Sequence, residues 1–196
     1  MLFNNAVIVF EGLDGSGKDT QIELFSNYLI RRKVEHVVIN SLSSPTIAPI
    51  IRDMLKDNEV DNKQMACLFL AELHEVFKMV KKALREDKVV ILNRWYLSTI
   101  AYNASNLIEK TAIEDLAPKL HNPYIVYIDV PPNICMERIN KRNKEKDKYE
   151  NSRFLSFVYN NYGSIMHRQN IITIDGAGNE SEVHKRILDR LGLEFV

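Results

Sequence analysis

Residues Glu11 to Gln21 read EGLDGSGKDTQ, a glycine-rich GxxxxGK loop set directly behind the apolar run Ala6–Phe10 and directly before an amphipathic segment. This feature dictates a strand, a tight loop and a helix in immediate succession. Gly12, Gly15 and Gly17 free the backbone to curl, so that successive N–H groups point into one concavity, which the positive end of the following helix reinforces. Lys18 then reaches the β- and γ-phosphates of a nucleotide. The hydroxyl residue that usually follows the lysine is here Asp19, with Thr20 one place later. The flanks compensate for that departure, because Ile22, Phe25 and Leu29 fall on one helical face behind a five-residue apolar run.

Apolar runs rich in β-branched residues recur at Val7–Phe10, His36–Ile39, Val89–Leu92, Ile125–Ile128 and Ile171–Ile174, with helical-period segments between them. Helices are expected near 18–33, 47–57, 62–86, 95–106, 111–120, 132–142, 150–168 and 180–191. The alternation predicts an α/β fold of the P-loop type: a five-stranded parallel sheet with helices on both faces. At 196 residues, and without a linker or repeat, residues 1–196 read as a single domain. Ligands of such sheets bind beyond the carboxyl ends of the strands, which directs attention to Glu11–Thr20, Asn40–Thr46, Asn93–Trp95, Asp129–Pro132 and Asp175–Gly178.

The 26 basic and 26 acidic residues cancel, so no overall field holds nucleic acid or an anionic membrane, and any anion is held locally. No apolar run approaches the length of a membrane span. Cys67 and Cys135 read as small core residues in a reducing, cytoplasmic setting.

Beyond the third strand, Arg94 carries the planar fork that clamps a phosphate, which suits a second phosphorylated substrate facing the nucleotide. Ser98 and Tyr102 follow it. The basic stretch from Arg138 to Lys148, RINKRNKEKDK, reads as a lid over about 138–150 that closes on the triphosphate. On the long helix Met65, Phe69, Leu73, Val76 and Val80 share a stripe, and Phe69 is open to two readings, core packing or stacking on a base.

With these pieces placed, the chain resembles the thymidylate kinase family of nucleoside monophosphate kinases along nearly its whole length. The segment FEGLDGSGKDTQ matches that family's loop, NRWYLSTIAYN is similar to its DRY segment, and YIDVPPNICMERI to its YLDxPPExxxxR segment. DKYEN is similar to the family's lid end, LFLAEL to its LFxAxR stretch, and IDGAGNESEVHKRI to its closing strand and helix.

The resemblance implies ATP with Mg²⁺ as donor, a deoxynucleoside monophosphate, above all dTMP, as acceptor, and a homodimer. Gly12, Asp14, Gly15, Ser16, Gly17 and Lys18, with Asp19 and Thr20, would surround the ATP phosphates. Asp14, Arg94, Ser98, Tyr102 and Tyr149 would hold the acceptor, with Phe69 and Leu73 at its base. Lys18, Arg94, Arg138 and Arg142 would supply the catalytic positive charge, the last two from the lid, since Gly15 stands where some relatives carry a loop arginine. Glu11, Asp19 and Asn93 would stand near the metal, Glu11 through water.

Three departures accompany the likeness: Asn93 replaces the aspartate of the DR pair, Leu73 replaces the arginine of LFxAxR, and Ser41–Thr46 lacks an arginine. At Leu73 the change removes a charged hydrogen bond worth ~1.5–3 kcal/mol. They motivate two rival readings, a deoxynucleoside kinase with Glu11 as base and a nucleotide-binding protein without turnover.

Overall fold

The computed structural model describes residues 5–56, 61–105, 107–141, 150–165 and 171–194. Among them, strands β1 (Val7–Gly12), β2 (His36–Asn40), β3 (Val89–Asn93), β4 (Tyr124–Asp129) and β5 (Ile171–Asp175) form one sheet in the order β2-β3-β1-β4-β5. Every pairing is parallel. The strand carrying the glycine-rich loop is therefore central, and its carboxyl end opens at the middle of the sheet's ligand-binding edge.

Helices α1 (Lys18–Arg31), α2 (Ala48–Met54), α3 (Asn62–Arg85), α4 (Tyr96–Asn103), α5 (Leu107–Leu116), α6 (Pro132–Lys141), α7 (Ser152–Ile165) and α8 (Glu180–Arg190) complete the described fold. Successive residues of β1 show how the two faces are used. Phe10 meets Phe25 of α1 at a ring-centroid distance of 5.8 Å, whereas Glu11, one residue on, points to the opposite face and bonds Ser98 of α4 and Tyr162 of α7. Helix α8 packs beside α1, and α3 and α7 beside α4. Both faces are thus covered, which accounts for the unbroken burial of β1.

Three local differences from the expected pattern have physical causes. Strand β1 continues through Glu11 and Gly12, because these residues pair with Tyr127 and Ile128 of β4. Helix α5 stops at Leu116 rather than near 120: Pro118 has no N–H to donate and steers Ala117 away from helical geometry. Cys135 is buried as expected, but Cys67 is exposed, lying off the stripe that buries Met65 and Leu73; neither is in a disulfide. No described helix is long and apolar enough to cross a membrane.

His184 of α8 is buried, edge-on to Tyr28 at 6.4 Å. Burial, with the nearby Arg31 charge adding to it, brings its imidazole from the ordinary 6.5 down to about 4. Between these values the unfolded chain takes up a proton that the folded chain refuses, so acidification from pH 6.5 to about 4 destabilises the fold and the effect levels off below that. The His184→Leu variant is expected to show a flatter dependence of urea midpoint on pH across this window.

Candidate active site

The glycine-rich loop owes its shape to residues that cannot carry side chains. Gly15 and Gly17 have φ of 82° and 91°, and a Cβ on Gly15 would lie 2.5 Å from the Cys135 carbonyl oxygen of α6. The close approach leaves room only for glycine here. Arg138 braces the same contact, donating to the carbonyls of Ser16 and Gly176, each at 3.1 Å.

That position corrects one expectation. Residues 138–141 belong to helix α6, and Arg138 holds the loop and the end of β5 rather than reaching down from a lid. Arg142 and Tyr149, with the rest of the expected lid up to 149, lie outside the described residues. Gly15, Ser16, Gly17, Thr20 and Arg138 border a cavity of about 280 Å³ that opens beside the loop. Lys18, the next residue of the loop, is buried, and desolvation, with Arg94 nearby, lowers its pKa from the ordinary value.

On the other side of the loop a second cavity of about 130 Å³ collects Asp14, Phe69, Leu73, Arg94, Ser98 and Tyr102. All the described acceptor candidates thus meet in one place, from β1, α3, the end of β3 and α4. Phe69 is half-buried and lines this cavity, so it borders open space as well as the core. Trp95, Thr99 and Asn103, together with Ser41, Leu42 and Leu55, complete the wall; Ser41, Leu42 and Trp95 fall in the segments singled out beyond the strand ends, whereas Leu55, Thr99 and Asn103 come from helical stretches.

Arg94 is the hub. Its backbone adopts φ 74°, an unfavourable conformation for a side-chain-bearing residue, and its guanidinium is held on all sides. Nη1 donates to the Gly12 carbonyl at 2.9 Å and to Ser98 Oγ at 3.0 Å. Nη2 donates to Asp14 at 2.6 Å and to the Tyr102 hydroxyl oxygen at 3.0 Å, while that hydroxyl donates to the other Asp14 oxygen at 2.7 Å. Burial opposes the charge of Arg94, but Tyr102 and Asp14 outweigh it and raise its pKa above the ordinary value. Burial likewise works against the Asp14 carboxylate, yet Arg94 and Lys18 hold its pKa below the usual range.

Glu11 departs from the expected metal role. Because β1 extends to Gly12, its side chain takes the inward-facing pleat and is 0% exposed. Its carboxylate accepts from the Trp95 N–H at 2.8 Å, the Ser98 N–H at 3.3 Å, the Ser98 hydroxyl at 2.5 Å and the Tyr162 hydroxyl at 2.9 Å. Desolvation raises its pKa. A carboxylate turned into the core and engaged by four donors is neither a water-mediated metal ligand nor the base that the deoxynucleoside kinase reading requires. It caps the start of α4 from a neighbouring strand.

Asp19 and Asn93 do stand together at the loop, with the Asn93 amide donating to Asp19 Oδ1 at 2.8 Å. Glu72 was not anticipated. It is 1% exposed on α3 and accepts from the Ser43 and Ser44 N–H groups, each at 2.8 Å, and from the Ser44 hydroxyl. Its spacing from Met65, Phe69 and Val76 was the available signal, since an acid on an apolar stripe must find donors inside.

The family model described as thymidylate kinase matches residues 10–187. The chain is 31% identical over 188 residues to a thymidylate kinase of Fervidobacterium nodosum, an alignment that covers 92% of this chain and 95% of that protein. It is 33% identical over 192 residues to a probable thymidylate kinase of Methanocaldococcus jannaschii, covering 97% of each. Against a thymidylate kinase of Thermosipho africanus the identity is 34% over 189 residues, covering 92% and 94%.

Removing the Glu11 carboxylate strands its buried donors. Glu11→Ala is therefore expected to cost about 2–5 kcal/mol of unfolding free energy, and Glu11→Gln less, as read from urea denaturation. An unchanged midpoint for Glu11→Ala would contradict the capping role.

Proposed function

The chain belongs to the thymidylate kinase family, and from that premise we propose how its residues carry out the ATP-dependent phosphorylation of dTMP to dTDP. The observation that supports the assignment of parts is the pair of cavities bordered by one glycine-rich loop, one lined by Gly15, Ser16 and Gly17 and the other by Asp14 and Arg94. ATP takes the cavity beside Gly15, Gly17, Thr20 and Arg138, its phosphates on the loop amides and Lys18. The dTMP takes the cavity of Asp14, Phe69, Arg94 and Tyr102.

In this reading an oxygen of the dTMP phosphate attacks the γ-phosphorus in line, the bond from that phosphorus to the ADP oxygen breaks, and no proton has to be removed from the nucleophile. Rate enhancement then comes from positioning and charge neutralisation. Arg94 is already oriented by Gly12, Ser98, Asp14 and Tyr102, so its fork meets the acceptor phosphate with little further ordering. Asp14 accepts from the sugar 3′-hydroxyl and Phe69 stacks on the base. Leu73 contributes an apolar wall only. The polar groups at that end are Thr99 and Asn103, and Asn103 Oδ1 is buried without a hydrogen-bond partner, an acceptor suited to a base N–H.

When bound, Mg²⁺ would supply neutralisation of the negative charge on the reacting phosphates. The chain offers it hard oxygen donors in Asp19, Asn93 and Thr20, which fits the ion's preference. A homodimer and a cytoplasmic location complete the proposal, the first supported by the family likeness and the second by two cysteines outside any disulfide.

A coupled assay of ADP release, run with ATP, Mg²⁺, each deoxynucleoside monophosphate and each nucleoside, is expected to show turnover with dTMP and none with nucleosides. Arg94→Lys keeps the charge but loses the fork, and its kcat/KM for dTMP is expected to fall roughly a hundredfold or more. Preference for a nucleoside, or silence throughout, would refute the reading.

A further inference from the structure

P-loop proteins commonly hold Mg²⁺ between the hydroxyl residue that follows the loop lysine and a carboxylate on a neighbouring strand. In this chain the two chemical types are exchanged. The residue after Lys18 is the carboxylate Asp19, and the strand-end residue beside it is the neutral amide Asn93. Asp19 is exposed, with 68% of its side chain accessible, and its contact with Lys18 at 3.4 Å is long for an ion pair. Glu11 is out of reach in the core. Among the described residues there is no cluster of three or more acidic, histidine or cysteine side chains that would offer an alternative metal site.

The amide of Asn93 is oriented by its neighbours. Nδ2 donates to Asp19 Oδ1 at 2.8 Å and to Asn40 Oδ1 at 3.2 Å, both of which are acceptors. That leaves Asn93 Oδ1 buried without a hydrogen-bond partner. A buried amide oxygen is costly to leave unpaired, and a water bound to a cation is a donor that would satisfy it. Since Mg²⁺ at nucleotide sites takes one or two carboxylates, phosphate oxygens and retained waters, a single carboxylate held by an amide is a sufficient protein contribution.

Resting on the kinase reading above, we infer that Asp19 is the charged Mg²⁺ ligand of this enzyme and that Asn93 is the positioning residue that fixes it. The metal's carboxylate thus sits on the P-loop helix instead of on the strand end. The competing explanation is that Asp19 merely complements the amino-terminal dipole of α1, which would affect stability but not metal affinity.

The test is titration of Mn²⁺, followed by electron paramagnetic resonance, into the protein with a non-hydrolysable imido analogue of ATP. Asp19→Thr is expected to weaken Mn²⁺ binding at least about tenfold, and the exchange variant Asp19→Thr/Asn93→Asp to recover most of that loss. Analogue binding in EDTA, measured by calorimetry, should not fall below the native value in either variant, which establishes that the loop is intact. Unchanged Mn²⁺ affinity in Asp19→Thr overturns the inference, as does an exchange variant as weak as the single one. Native dTMP turnover, measured in parallel, separates the two claims. Turnover with unchanged metal affinity sinks only the metal assignment, whereas loss of metal affinity in a protein that never phosphorylates dTMP sinks the kinase reading and leaves the ligand assignment standing.

Discussion

Everything at this site depends on a carboxylate that has no access to solvent. Glu11 lies in the central strand, and burying its charge costs several kcal/mol unless donors surround it. The chain provides two backbone N–H groups at the start of α4 and two hydroxyls, from Ser98 and Tyr162. These bonds tie β1, α4 and α7 into one unit, and neither helix can slide along the sheet without stranding a charge. The fixed Ser98 hydroxyl in turn accepts from Arg94. A positive φ at Arg94, a conformation that costs of order 1–3 kcal/mol, is tolerated because the surroundings determine it so completely.

The same arrangement explains how a chain of zero net charge binds two polyanions. The cations that matter are buried and directed, not spread over the surface. Lys18 and Arg94 stand near enough to each other that each feels the other's charge, and Asp14 and Asp19 lie beside them. Positive charge is thereby held in place before any phosphate arrives, without the unrelieved repulsion of two bare cations. In the proposed reading an incoming phosphate would share Arg94 with Asp14, whose contact already helps to order the guanidinium.

Much of this could be read from the sequence, for identifiable reasons. The strands announce themselves as apolar β-branched runs because a parallel sheet buries both faces, and the glycine pattern needs only local backbone geometry. Arg94 was legible because it follows a strand directly. The failures were of a different kind. Glu11 looked like a loop residue, and only its pairing with Tyr127 turns it inward. Arg138 looked like part of a basic lid, yet it lies within the last turns of a helix whose packing against Gly15 is a tertiary fact. Cys67 was misjudged because its neighbours are buried while it faces outward. Such positions are decided by partners distant in sequence, which periodicity does not report.

Leu73 illustrates how separate departures meet at one cavity when placed in space. Its neighbour Glu72 is spent inside, gripping Ser43 and Ser44 and so fixing the loop after β2 over the acceptor cavity. A guanidinium in that loop would have been able to draw Glu72 away from these backbone donors; with serines there, the carboxylate has no competing cation and the loop is held by neutral groups. Leu42, Leu55, Phe69 and Leu73 then present an apolar surface to whatever enters. Among the described lining residues the guanidinium of Arg94 then supplies the positive charge, while the loop after β2 is secured from within the protein by a buried carboxylate, so that the two ends of the cavity are held by different means, one ionic and one by neutral donors.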